Sequence, residues 1–219
     1  RKAKGIAWWL GIGGATSGLE RWRKNSRETH LSKFAMETVD KVDRPTTLII
    51  DEEVPRVPKR ASFFDRAVHG DLGKKSQQER TRFSFKHPFA ASMVKQIMAM
   101  VPHQDGPVAD TTESRCADAE ENTRAIKSLS YLLGAELTGI CEIPEYAWYS
   151  HVDNGEPVEC HHKYAVVMLI DQEYDTMEGA SGDDFISGAQ SMRAYMRGAV
   201  VAGIMAEHLR SLGFSSRSQ

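Results

Sequence analysis

Cysteine is scarce in this chain. Only Cys116, Cys141 and Cys160 occur among 219 residues, and no two of them form a Cys-x-x-Cys pair. Three scattered thiols exclude a disulfide framework, and they leave no zinc knuckle or iron–sulfur cluster that these residues could hold alone. An excess of either charge is also missing: 28 Lys and Arg face 30 Asp and Glu, for a net charge of −2. Nucleic acid is therefore not an expected partner, because phosphate binding leaves a basic footprint. The basic clusters Arg1–Lys4 and Arg21–Arg27 read as solvated helix ends. A long apolar run is the third absence. Ile6–Leu19 is interrupted by glycines, falls short of the roughly 20 residues of a membrane span, and lacks a signal-peptide cleavage pattern. No membrane span is expected, and a reducing cytoplasm is the expected location. The chain opens without Met and reads as an excerpt of something longer. What remains, 41% hydrophobic and 26% charged residues, is the composition of a soluble globular domain.

Two regions are expected: a lead-in over 1–110 with short helices and one strand, and a domain over 111–219. In the lead-in, Ser26–Val39 has helical spacing. Thr46–Asp51 reads as a short strand bounded by Pro45, Pro55 and Pro58. Ala61–Gly73 predicts a helical turn that packs Phe63, Phe64 and Val68 and is ended by glycines. From Pro88, near N1, a helix should turn Phe89, Met93, Val94, Ile97, Met98 and Val101 inward. In the second region Asp118 and Glu121 suit a capping box. Ile126, Leu129, Leu132 and Leu133 mark the buried face of a helix ending at Gly134. Glu136–Ile143 and Tyr164–Ile170 are strand-like, the second a continuous apolar run of the central-strand kind. A helix from Ser187 to Leu212 closes at Gly213. Helix–strand–strand–helix in this order predicts an α+β domain, helices packed on a small mixed sheet.

Most of the circumference of that last helix is apolar, with one polar stripe of Arg193, Arg197, His208 and Ser211, so it should lie between layers. Ser191 and Tyr195 stand four residues apart on one side of it, flanked by the small residues Ala199, Ala202 and Ala206. A hydroxyl and a phenol so placed could pass a proton to a reacting centre, and small neighbours let another helix or a flat cofactor approach. A tyrosine on a buried helix is nevertheless most often structural, its hydroxyl tied to a backbone carbonyl. The other candidates are weaker. Cys160-His161-His162 offers two adjacent imidazoles that a strand would turn to opposite faces, so no metal site is expected. The acidic residues Asp171, Glu173, Asp175, Glu178, Asp183 and Asp184 miss the EF-hand spacing and read as a solvated loop. Gly11-Ile12-Gly13-Gly14 lacks a preceding strand and the dinucleotide spacing. Cys141, mid-strand, is expected to be buried and inert. The aromatics Tyr146, Trp148 and Tyr149 are expected to pack the domain.

Several blocks, taken together in their order, carry a resemblance. They are Glu121-Asn122-Thr123-Arg124-Ala125-Ile126-Lys127, Leu133-Gly134-Ala135-Glu136-Leu137-Thr138-Gly139-Ile140-Cys141, and Lys163-Tyr164-Ala165-Val166-Val167-Met168. The last runs from Ala194-Tyr195 through Met205-Ala206-Glu207 to Arg210-Ser211-Leu212-Gly213-Phe214. Between Glu120 and Phe214 the chain resembles the cobalamin-binding domain of reductive dehalogenases. Upstream, Arg60–Gly70 and Phe85-Lys86-His87-Pro88 resemble that family more loosely. The segment Tyr146-Ala147-Trp148-Tyr149-Ser150-His151 is closer to its cytoplasmic, catabolic members than to its exported respiratory ones.

The resemblance implies a flavin-reductase-like (nitroreductase-like) scaffold carrying cobalamin, with two [4Fe–4S] clusters feeding it electrons from a donor protein or domain. The implied substrate is a halogenated small molecule, often aromatic, whose halogen is replaced by hydrogen. Tyr195 falls on the family's proton-donor tyrosine, and Ser191 on a hydroxyl residue of the same pocket. A phenol of pKa about 10 needs a neighbouring cation to act as an acid near neutrality, and the family supplies a Lys or Arg from further along the chain. Arg197, roughly 200° around the helix from Tyr195, is not expected to be that cation. The loops holding the corrinoid tail and the cysteine-rich cluster motif have no counterpart up to Gln219. Region 111–219 thus reads as the N-terminal portion of an incomplete cobalamin-binding domain, inactive alone and binding corrinoid weakly or not at all. The rival readings are an epoxyqueuosine reductase-like enzyme, whose acid is a carboxylate, and a non-catalytic cobalamin-binding or structural module. Two Cys-x-x-Cys-x-x-Cys-x-x-x-Cys-like runs encoded downstream of Gln219 would favour the dehalogenase.

Overall fold

A computed structural model describes residues 47–173 and 185–219, together with positions 5–7, 9, 10, 18, 19, 22, 42–44 and 176. The chain divides into two compact units, Arg1–Thr46 and Thr47–Gln219, and the architecture below is that of the second. The helix expected over Ser26–Val39 and the tract Gly11–Gly14 lie outside the described residues.

Four helices come first in this unit: α1 (Phe63–Val68), α2 (Lys74–Glu79), α3 (Arg82–Phe85) and α4 (Pro88–Ala99). They are followed by α5 (Ala119–Leu132), β1 (Leu137–Glu142), β2 (Tyr164–Leu169) and the long α6 (Phe185–Ser211). Their ends follow local chemistry. Ser62 caps α1, its hydroxyl accepting the Asp65 N–H at 3.3 Å. Pro88 opens α4 at the first helical position, where a missing N–H costs nothing. Asp118 caps α5, one carboxylate oxygen accepting the N–H groups of Glu120 and Glu121 at 2.8 and 2.9 Å. Gly134 and Gly213 end their helices at φ of 100° and 88°, a backbone shape that favours glycine.

The Asp118 cap carries a pH dependence. The N–H groups of Glu121 and then Glu120 favour the carboxylate and hold its pKa below the ordinary 3.8. The capping stabilisation is therefore complete above that value and lost as pH falls through the depressed one. Helical circular dichroism should decline between pH 4 and 2 in the native chain, with a smaller decline in Asp118→Asn, which keeps an acceptor but cannot titrate. Equal declines would remove the cap from the acid response.

The core lies where α4 crosses α6. Ala90 and Met93 meet Ala189 and Met192, with Val94, Ile97 and Met196 packed around them. Burying each methionine contributes about 2 kcal/mol. The approach of α3 is set by Gly188, where a Cβ would fall on the carbonyl oxygen of Phe83. On another flank α6 meets α5, and α5 is tied to β1 by the buried pair Ser130 Oγ and Thr138 Oγ1 at 2.7 Å.

Several expectations are corrected. The sheet is not mixed: among the described residues β1 and β2 form one antiparallel pair, with Leu137 opposite Leu169 and Glu142 opposite Tyr164. The connection between them is a loop without a crossover helix, and such a return gives an antiparallel ladder. Nor is β2 a central strand, since Tyr164, Val167 and Leu169 are all more than half exposed. Cys141 is exposed rather than buried, because it shares the uncovered sheet face with Val167 and Leu169. The run 47–50 joins no strand among the described residues, and Asp51–Glu53 is a 3-10 turn; β-branched residues make a strand only beside an edge that can bond them. Phe63, Phe64, Val68, Phe89, Met98, Val101 and Leu132 face outward. Phe64 stacks on Phe83 with ring centroids 5.8 Å apart, which satisfies a surface cluster rather than a core.

Candidate functional site

Tyr195 lies in the N-terminal half of α6 and is 54% exposed. It is neither packed into hydrocarbon nor sealed between layers as the apolar helix suggested. Ser191, one turn earlier, is half-buried and donates its hydroxyl to the Ser187 carbonyl at 3.2 Å. On the same flank Ala199 and Ala202 are half-buried and Ala206 is buried. The two sequence-predicted residues thus share an accessible flank whose neighbours are small. Among the described residues of this flank, Ser191, Tyr195, Ala199, Ala202 and Ala206 are all uncharged. A hydroxyl and a phenol beside small side chains leave room for a partner to approach this flank and offer it a proton source. A hollow lined by Met100, His103, Gly203, Ile204, Glu207 and His208 lies further along α6 and includes neither residue.

The opposite side of α6 is polar, and sequence reasoning missed what it does. Arg197 donates from Nη2 to the Gly134 carbonyl at 3.0 Å and to Glu136 Oε1 at 2.9 Å, and from Nη1 to the Asp171 carbonyl at 3.2 Å. Glu136, 7% exposed, accepts the Asp171 N–H at 3.0 Å on its other oxygen. Gln190, buried, donates to the carbonyls of Gln172 and Glu173. Arg193 pairs with Glu173 at 2.7 Å, and Glu173 itself sits at φ 68°. Arg193 and Arg197 of the polar stripe therefore belong to the seam holding α6 to the start of β1 and the end of β2. One signal was legible: a carboxylate at the head of an apolar strand and an arginine on a buried helix each require a partner. Arg197 is engaged there through both terminal nitrogens, in keeping with its place roughly 200° from Tyr195.

The weaker candidates separate. His162 stacks on Trp148 with centroids 6.5 Å apart and contacts Ser215 Oγ at 3.1 Å, whereas His161 faces Glu159 at 4.0 Å. The two imidazoles are thus turned to different partners. Tyr146 and Trp148 are half-buried and Tyr149 is exposed. Their segment is held by Arg56, which donates to the carbonyls of Tyr149 and Val158 at 2.7 Å each and of Trp148 at 3.4 Å. Most of the acidic loop lies outside the described residues.

No family model and no curated protein matches the chain. Solved structures do. An N-terminally tagged catabolic reductive dehalogenase, NpRdhA, is 48% identical with a TM-score of 0.83, over 98% of this chain and 32% of that one. The same protein in complex with 3-bromo-4-hydroxybenzoic acid matches at 48% and 0.83, over 98% of this chain and 31% of that one. A reductive dehalogenase structure described as suggesting a mechanism for B12-dependent dehalogenation matches at 48% and 0.82, over 98% and 31%. The chain belongs to the reductive dehalogenase family. Within that family it spans about a third of the length of the structures it matches. Its α+β architecture is theirs, and no helix among its described residues is long and apolar enough to cross a membrane.

Proposed function

We propose that this chain supplies the tyrosine-bearing part of a cytoplasmic, cobalamin-dependent reductive dehalogenase, with 1–110 as lead-in and 111–219 as the N-terminal portion of the cobalamin-binding domain on a flavin-reductase-like scaffold. The observation that carries this reading is the accessible phenol of Tyr195 on a flank of small residues, in a chain 48% identical to such enzymes. The reaction converts R–X to R–H and halide, consuming two electrons and one proton. When bound, cobalamin would supply low-valent cobalt chemistry for cleaving the carbon–halogen bond.

The chain's own residues handle the proton. Tyr195 Oη holds it at the open flank and delivers it to the carbon that loses the halogen. Its phenolate is then stabilised by a Lys or Arg other than Arg197, because a phenol of pKa about 10 is otherwise a weak donor near neutrality. Ser191, its hydroxyl oriented by the Ser187 carbonyl, shapes the pocket one turn away. Two [4Fe–4S] clusters would pass electrons from a donor protein or domain, and Cys116, Cys141 and Cys160 do not have the spacing to hold one. The substrate is an organohalide, and the aromatic class is favoured because a solved relative binds 3-bromo-4-hydroxybenzoic acid. A carboxylate acid, as in epoxyqueuosine reductases, has no counterpart among the described residues of the Tyr195 flank.

The test uses the natural full-length protein, loaded with cobalamin and given a chemical reductant and 3-bromo-4-hydroxybenzoic acid under anaerobic conditions. Bromide release that requires cobalamin is expected. Cobalamin bound without turnover of any organohalide would indicate a carrier module, and absence of cobalamin binding would overturn the reading.

A further inference from the structure

We infer that Arg197 and Glu136 are positioning residues for Tyr195, a polar strut that fixes the rotation of α6 about its own axis. The inference rests on the reading of Tyr195 as the reacting phenol. Arg197 joins three fixed points on the far side of the helix: the α5 end at Gly134, the β1 start at Glu136 and the β2 exit at Asp171. Glu136 closes the arrangement by accepting the Asp171 N–H, so both of its carboxylate oxygens are engaged in a buried setting. Three donations from one planar guanidinium to the α5–β1 connection and to the β2 exit define an orientation, which a single contact cannot do. The strut acts two residues from Tyr195 and on the opposite face, so a roll of α6 converts directly into displacement of the phenol. A side-chain tip lies about 6 Å from the helix axis, so a roll of roughly 10° moves it by about 1 Å. A misplacement of that size can lower turnover on the order of 100-fold.

The α4 core and the Phe83 contact at Gly188 limit the tilt of α6. Near the level of Tyr195, Met192 and Met196 hold the α4 side of the helix, and the polar seam holds the side opposite the phenol. Arg193–Glu173 contributes there too, but both side chains are about 40% exposed and the pair is correspondingly weak.

The test is made in the natural full-length protein with Arg197→Gln, and with the double variant Glu136→Gln/Arg197→Gln, which leaves no buried charge unpartnered and guards against failure to fold. Two readouts are needed. In the cobalamin-free protein, 3-fluorotyrosine is incorporated and the resonance of position 195 is assigned by its loss in Tyr195→Phe. That resonance should shift or broaden in both variants. In the loaded enzyme kcat should fall roughly 10- to 100-fold with KM changed less than about twofold, and Arg197→Lys should recover only part of the loss. An unmoved fluorine resonance together with native kcat in a folded variant would overturn the strut. If Tyr195→Phe itself keeps full turnover, the proton-donor reading fails, while the resonance still decides whether the strut orients the helix.

Discussion

Tyr195→Phe should lower dehalogenation by about 100- to 10,000-fold, the span over which a positioned general acid contributes. The substitution removes one oxygen and leaves the ring. Because Tyr195 is 54% exposed, the variant should fold as the native protein does and leave cobalamin bound. Halide release and corrin absorbance, measured on the same sample of the natural full-length protein, separate the two effects. Loss of halide release with retained absorbance assigns the phenol to chemistry. Unchanged turnover removes Tyr195 from the mechanism.

The second large effect concerns Arg210, near the other end of α6. Its side chain is 1% exposed and among the least accessible of the described residues. Nη2 meets Glu207 at 2.6 Å and the His103 carbonyl at 3.4 Å, and Nη1 meets the carbonyls of Ser216 at 2.9 Å and Gln104 at 3.5 Å. One side chain thus ties the helix end to the turn after α4 and to the tail beyond Gly213. Arg210→Ala leaves a void and takes donors from those carbonyls. Loss of the packed stem together with unmade hydrogen bonds should cost about 3 kcal/mol. A urea titration of the 219-residue chain, followed by circular dichroism, should show the midpoint falling accordingly. Arg210→Lys should recover only part, since a point charge cannot reach the three carbonyls at once. A loss below about 1 kcal/mol would contradict this account of Arg210.

What could be read from the sequence was governed by punctuation and period. Pro88, Asp118, Gly134 and Gly213 end or begin helices where their backbone chemistry requires, and the two strands follow their apolar runs. The interior was less legible, because periodicity scores apolar residues and is silent on charges satisfied by distant carbonyls. The need of such charges for a partner was legible, but not the partner's identity: Arg197 meets Glu136 61 positions away, and Arg210 reaches the His103 carbonyl 107 positions away. Phe63, Phe89 and Leu132 were read as inward because they are large and apolar, yet about two-thirds of each is exposed. The pair Ser191 and Tyr195 was legible as a shared helix flank. That the flank is open was not, since a helix apolar nearly all round argues for enclosure.

The most direct test of the central claim is a crystal structure of the natural full-length protein with cobalamin and an aromatic organohalide bound. The account predicts Tyr195 Oη within about 3.5 Å of the carbon that bears the halogen, the separation expected of reacting groups held for transfer. A phenol turned away from that carbon, with another acidic side chain in its place, would contradict it.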